Sequence, residues 1–215
     1  MEKNQSLSQQ IFQVTGAILG WLAVLGQLYL IILNRTESVG ETIIRFFSFF
    51  TILTNILVAL CFTACLVNKD AGFFAAFARP SNIAAITVYI TVVGLIYNLI
   101  LRSLWDPTGL QLIVNELLHS VIPVLFVVFW LIFIPKTGLT IKKIVPWLVF
   151  PLIYMLFVIF RGALSGFYPY PFIDVRLLGY PRSFFNAALC LCLFLVLSLL
   201  ILALGNLLNK RKSPL

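Results

Sequence analysis

The chain has 215 residues, 61% of them hydrophobic and only 10% charged, with a formal net charge of +8; its mean hydropathy is +1.07. A soluble domain carries roughly a quarter charged residues, so there is too little polar surface here to coat a globule in water, and lipid is the expected outer solvent. The basic residues stand at the ends of apolar runs, where headgroups and topology account for them better than nucleic acid does.

A bilayer satisfies backbone polar groups only in helices or closed barrels. Barrel strands would alternate polar and apolar residues over about ten positions, whereas the apolar runs here are roughly twice that long and do not alternate. The expected fold is therefore all-α. It is a polytopic membrane helix bundle with about six transmembrane helices, forming a single domain over 1–215.

The first ten residues are polar and include Glu2 and Lys3; the run that follows, about 11–33, is too long for a signal-peptide core and reads as a retained membrane helix. Asn34-Arg35-Thr36 matches a glycosylation acceptor but lies so close to the membrane that the match is read as chance. The second span covers about 43–67 and carries Ser48, Thr51, Thr54 and Asn55 at helical three- and four-residue spacings, a polar stripe. Such a stripe serves either as glue between membrane helices or as part of a site.

The third span is expected at about 83–104 and the fourth at about 112–133. The fourth holds His119, the only histidine, with Asn115, Glu116 and Pro123 on the same face. An ionisable group inside a membrane helix needs a partner and marks a candidate site; the plainer alternative is a structural imidazole tied to a backbone carbonyl. The fifth span, about 145–160, is the shortest. The connection 161–183 contains Tyr168-Pro169-Tyr170-Pro171-Phe172, then Asp174, Arg176, Gly179 and Pro181. Prolines pre-order it and aromatics suit the headgroup layer, so it is expected to cap the outer mouth of the bundle. The sixth span covers about 184–207.

Six spans put both termini on one side, with Lys3, Lys69, Arg79, Lys136, Lys142, Lys143, Lys210, Arg211 and Lys212. The other side holds only arginines: Arg35, Arg45, Arg102, Arg161, Arg176 and Arg182. Nine basic residues against six favour cytoplasmic termini. Arginine presents a planar fork that suits carboxylates or phosphates, though it also snorkels. The four cysteines all lie in apolar runs and read as small core residues. One histidine without clustered acids or thiols gives too few ligands for a metal, and no cofactor is expected.

Counted inward from the outer surface, Thr51 lies about eight residues deep and His119 about seven, each roughly 10–12 Å down at 1.5 Å per residue. A hydroxyl becomes a useful nucleophile when a base takes its proton, and imidazole is the usual base. The pair could support acyl transfer, or line a polar binding cavity.

Three segments carry a family likeness: Phe46-Phe-Ser-Phe-Phe-Thr51-Ile-Leu-Thr54-Asn55; Asn115-Glu-Leu-Leu-His119 with Pro123; and Pro151-Leu-Ile-Tyr154, Arg161-Gly162 and Tyr168-Pro-Tyr-Pro-Phe172. Together, from the second span through the loop after the fifth, they resemble the androgen-induced-gene (FAR/AIG-like) integral membrane family in its bacterial branch. Animal members are multi-pass hydrolases that cleave fatty acid esters of hydroxy fatty acids with a threonine and a histidine. The resemblance implies Thr51 as nucleophile, with Thr54 as its neighbour in register, and His119 as general base in a bacterial cell membrane. Animal members have an acidic residue shortly after the threonine, where this chain has Thr54-Asn55.

The resulting expectation is an intramembrane lipid esterase acting on a membrane lipid or fatty-acid-ester substrate. Arg102, Arg161 or Arg176 would hold a carboxylate or headgroup, with Tyr168 and Tyr170 at the substrate. Asn55 or Asn115 would steady the oxyanion, and Glu116 or a backbone carbonyl would orient the imidazole. The alternative is a non-enzymatic lipid or small-molecule transporter or binding protein that uses His119 as a protonation switch. The sequence sets no oligomeric state.

Overall fold

A computed structural model describes residues 5–67 and 72–211; Glu2, Lys3, Lys69 and Lys212 of the charge pattern lie outside them. The described residues form an all-helical bundle in which six helices are long and apolar enough to cross a membrane. The chain is a multi-pass membrane protein by that measure.

Helix α1 (Leu7–Leu33) starts at Ser6, whose hydroxyl accepts from the Gln9 amide at 3.2 Å, and ends where the Asn34 side chain donates to the Leu30 carbonyl at 3.0 Å. Both caps satisfy backbone groups that a helix leaves unpaired at its termini. Its outward residues, such as Leu22 and Leu25, are exposed apolar side chains suited to lipid. A short helix, α2 (Val39–Phe47), follows, opened by Ser38 with Glu41 three residues on, the spacing of a capping box.

The second span is α3 (Phe50–Val67), not a helix from residue 43. The regular helical ladder lapses at Ser48 and Phe49, so Thr51 stands in the first turn of its span rather than eight residues into it. A small helix, α4 (Phe73–Ala78), leads to α5 (Pro80–Ile96), which opens with proline at its first position, where no amide hydrogen is needed. The third span continues through a π-helical turn, Tyr97–Leu101, and a short 3-10 turn, Arg102–Leu104.

The fourth span comprises α6 (Gly109–Glu116), a π-helical turn at Leu117–Val121 and α7 (Ile122–Phe133). Helix α8 (Ile144–Ser165) is longer than the apolar run suggested, and Arg161 belongs to it. The expected cap over 161–183 is correspondingly shorter, because the last helix, α9 (Val175–Arg211), begins within it and bends at Gly179, whose φ of 73° breaks helical geometry just before Pro181.

Helices α3 and α5 are the most enclosed of the spans and pack against each other at the centre. Close approach of α1 to α3 depends on glycine. A Cβ added at Gly20 would lie 3.0 Å from the Cβ and 3.3 Å from the Cα of Ala59, and one at Gly16 would lie 2.5 Å from the Phe62 ring. The second contact meets a ring, but the first meets backbone.

Gly20→Val should push α1 off α3 and cost about 1–3 kcal/mol, as overpacking does. Gly40→Ala, where no atom lies within 4 Å of the added carbon, should have little effect. Thermal unfolding of the two detergent-solubilised variants checks this, and equal midpoints would contradict it.

Candidate functional site

The break before α3 leaves the first amides of a helix without intrahelical acceptors. Two tyrosines from distant segments supply them. The Phe50 amide donates to the Tyr154 hydroxyl at 3.1 Å and the Thr51 amide to the Tyr170 hydroxyl at 3.3 Å. Tyr154 in turn donates to the Ser48 carbonyl at 2.9 Å, so one phenol satisfies both sides of the break. Thr51 Oγ1 lies 3.4 Å from the Tyr170 hydroxyl. Removal from water raises the Tyr170 pKa above its ordinary value, which keeps that hydroxyl protonated as a donor.

The segment carrying His119 is irregular for a different reason. In the π-helical turn the Ile122 amide bonds to Leu117, and Pro123 has no amide hydrogen to offer. The carbonyls of Leu118 and His119 therefore lose their ordinary partners. Asparagines from neighbouring helices replace them: Asn55 Nδ2 donates to Leu118 O at 3.2 Å, and Asn98 Nδ2 to His119 O at 3.1 Å. Asn55 also donates to the carbonyl of Thr51 at 2.8 Å, so a single buried amide ties the turn bearing the threonine to the turn bearing the imidazole. Gly94 permits the helix contact here, since a Cβ would fall 3.1 Å from that of Pro123 and 3.4 Å from the His119 carbonyl. π-Turns of this kind occur often at functional sites.

The imidazole is held on two sides. Its Nδ1 bonds to the Asn115 carbonyl at 2.9 Å. A carbonyl can only accept, so Nδ1 carries the hydrogen and the neutral ring presents Nε2 as an acceptor. The Tyr97 ring stacks on it with centroids 4.1 Å apart and planes inclined by 24°, and the Asn115 side chain donates to the Tyr97 hydroxyl.

Thr51 and His119 line one cavity of about 500 Å³, together with the polar side chains of Asn115, Tyr97, Tyr170 and Gln27. Phe46, Leu104, Trp105 and Pro169 contribute apolar wall. A second, smaller cavity of about 30 Å³ has Thr51, Tyr97, His119 and Tyr170 in its lining as well. The hydroxyl and the imidazole thus line the same two cavities, but no hydrogen bond joins them: Thr51 Oγ1 contacts Tyr170 and the imidazole contacts the Asn115 carbonyl.

The other expected residues have different surroundings. Thr54 is fully buried, its Oγ1 has no hydrogen-bond partner, and it does not line the cavity. Asn55 spends its amide on the two carbonyls rather than facing a ligand. Glu116 pairs with Arg102, which also donates to Ser120 at 3.3 Å; the imidazole is oriented instead by the backbone carbonyl of Asn115.

Arg161 pairs with Glu41 at 2.8 Å, and Arg45 joins the same carboxylate at 2.9 Å, with both guanidiniums over the Phe167 ring. Arg45, bonded to it, holds the Glu41 pKa below its usual range despite partial desolvation. Arg176 grips Asp174 through two nitrogens, at 2.8 and 3.1 Å, and lowers that carboxyl in the same way. Of the three arginines expected at the substrate, none is in the cavity wall. Tyr168 packs onto Gly162, where an added Cβ would lie 2.1 Å from its ring, and serves the cap rather than the cavity.

Sequence reasoning missed the roles of Tyr97, Asn98 and Gln27. Asn98 was the most discoverable, as the only side-chain amide in the expected third span, one turn after Gly94. No protein-family model, curated protein or solved structure matches this chain.

Proposed function

We propose that the chain is an intramembrane hydrolase of lipid esters, with Thr51 as nucleophile and His119 as general base. The observation that carries this reading is the shared cavity wall: a threonine hydroxyl and the sole imidazole border one space, and Asn55 fixes their two turns together. The likeness to the FAR/AIG-like family points the same way.

In the proposed cycle Thr51 Oγ attacks the ester carbonyl as its proton passes to His119 Nε2. The Tyr170 hydroxyl, already beside Thr51 Oγ1, donates to the oxygen that becomes negative. Collapse expels the alcohol, which takes the proton from the imidazolium and leaves an acyl-threonine. Water, deprotonated by the same imidazole, then releases the acid and restores Thr51. Nδ1 keeps its hydrogen bond to the Asn115 carbonyl throughout, which holds the tautomer as the third member of a triad would. A second reading, a non-enzymatic lipid-binding protein, draws on the resting contact of Thr51 Oγ1, which is with Tyr170.

A fluorophosphonate probe is expected to label the purified protein, and Thr51→Ala to abolish the label; labelling that survives both Thr51→Ala and Thr54→Ala would sink the nucleophile assignment. His119→Ala should lower kcat for a lipid ester by roughly 10²–10⁴-fold, the usual contribution of a general base.

Tyr170→Phe should reduce kcat by about 10²–10³-fold with KM little changed, as removal of an oxyanion donor does. Steady-state kinetics on the variant provide the check. A loss confined to KM would make Tyr170 a binding residue only.

A further inference from the structure

The polar side chains that line the cavity include no charged one: among the described residues in its wall, none is Asp, Glu, Lys or Arg. The nearby arginines are committed elsewhere: Arg102 to Glu116, Arg161 and Arg45 to Glu41, and Arg176 to Asp174. Arg161 retains one buried nitrogen, Nη1, without an acceptor. However, Phe167 lies against that guanidinium, 5.2 Å from its centre, and Arg161 is outside the wall.

A helix N-terminus can also attract an anion through its free amides. The start of α3 lies at this cavity, but its Phe50 and Thr51 amides already bond to the hydroxyls of Tyr154 and Tyr170. The imidazole could neutralise an anion only by holding a second proton on Nε2, and that would remove the base from the proposed reaction. What the wall does offer is hydroxyl, amide and imidazole groups against apolar side chains.

We infer that the cavity selects an uncharged lipid ester, with an acyl chain against the Phe46, Leu104 and Trp105 wall and a neutral ester or alcohol head at Thr51, Tyr170 and Gln27. The inference rests on the hydrolase reading for the word ester, and on the charge distribution alone for the word uncharged. A free carboxylate drawn into this space would lose its hydration and find no cation. A fatty acid ester that keeps an ionised carboxyl group is then a poor ligand if that group must enter.

The test uses the full chain in nanodiscs at about pH 8, where an ordinary imidazole is neutral. Binding is read on the wild-type protein, since neither ligand can turn over, from Trp105 fluorescence; Trp105→Phe identifies the signal. The ligands are octyl glycerol ether, uncharged and not hydrolysable, and octanoate, each Kd being referred to ligand dissolved in the lipid. The ether should bind more tightly by on the order of tenfold or more. Leu104→Lys, at an exposed wall position, should narrow the gap by adding the missing cation.

Equal or tighter binding of octanoate, binding of neither ligand, or a gap unmoved by Leu104→Lys would each overturn the inference. In wild-type protein, p-nitrophenyl octanoate should likewise be cleaved at least about tenfold faster, by kcat/KM, than the p-nitrophenyl monoester of octanedioic acid. If the ether is preferred but neither ester is cleaved, the uncharged site stands and the hydrolase reading falls.

Discussion

The Asn55 side chain is the interaction on which the interior depends. Its Nδ2 reaches the Thr51 carbonyl on its own helix and the Leu118 carbonyl on another. Inside a bilayer no water is at hand to take over such a group, and an orphaned buried carbonyl costs about 1–3 kcal/mol. The π-turn in the fourth span is tolerable only because Asn55 and Asn98 receive the carbonyls it releases. The irregular backbone around His119 and the fixed position of Thr51 therefore share one cause.

The irregularities are concentrated. The break before α3, the π-turn at Tyr97–Leu101 and the π-turn at Leu117–Val121 all contribute side chains to the same cavity. The break before α3 and the turn at Leu117–Val121 are each repaired by polar side chains from elsewhere in the chain, tyrosine hydroxyls in the first case and asparagine amides in the second. By contrast, among the described residues, α1 and the part of α9 after Gly179 carry no such repairs beyond their caps and local bonds. Non-helical backbone in a membrane is tolerated where it is buried in protein or lines a cavity, and this chain obeys that rule.

The spans were legible in the sequence because lipid imposes a length of apolar residues that few other environments do. The four residues Thr51, Asn115, His119 and Tyr170 were legible as polar groups in apolar or proline-ordered stretches. What the sequence did not reveal was long-range pairing. Phe46 through Asn55 reads as unbroken helix, because the hydroxyls that stabilise its break belong to Tyr154 and Tyr170, about a hundred positions away. The arginine-only side was visible as a count, but the pairing of Arg161 with Glu41 and of Arg102 with Glu116 emerges only when the helices pack, whereas Arg176 and Asp174 are two positions apart in the sequence. Counting residues for depth failed for the related reason that the second span begins at Phe50. The two side chains nonetheless reach one cavity.

The cluster of Glu37, Glu41, Arg45 and Arg161 closes its charges upon itself, with two acids against two bases. Such a group projects little potential beyond the side chains that form it. Long-range steering of a charged solute needs an unbalanced field that ionic strength can screen, and a balanced cluster of this kind supplies little of one.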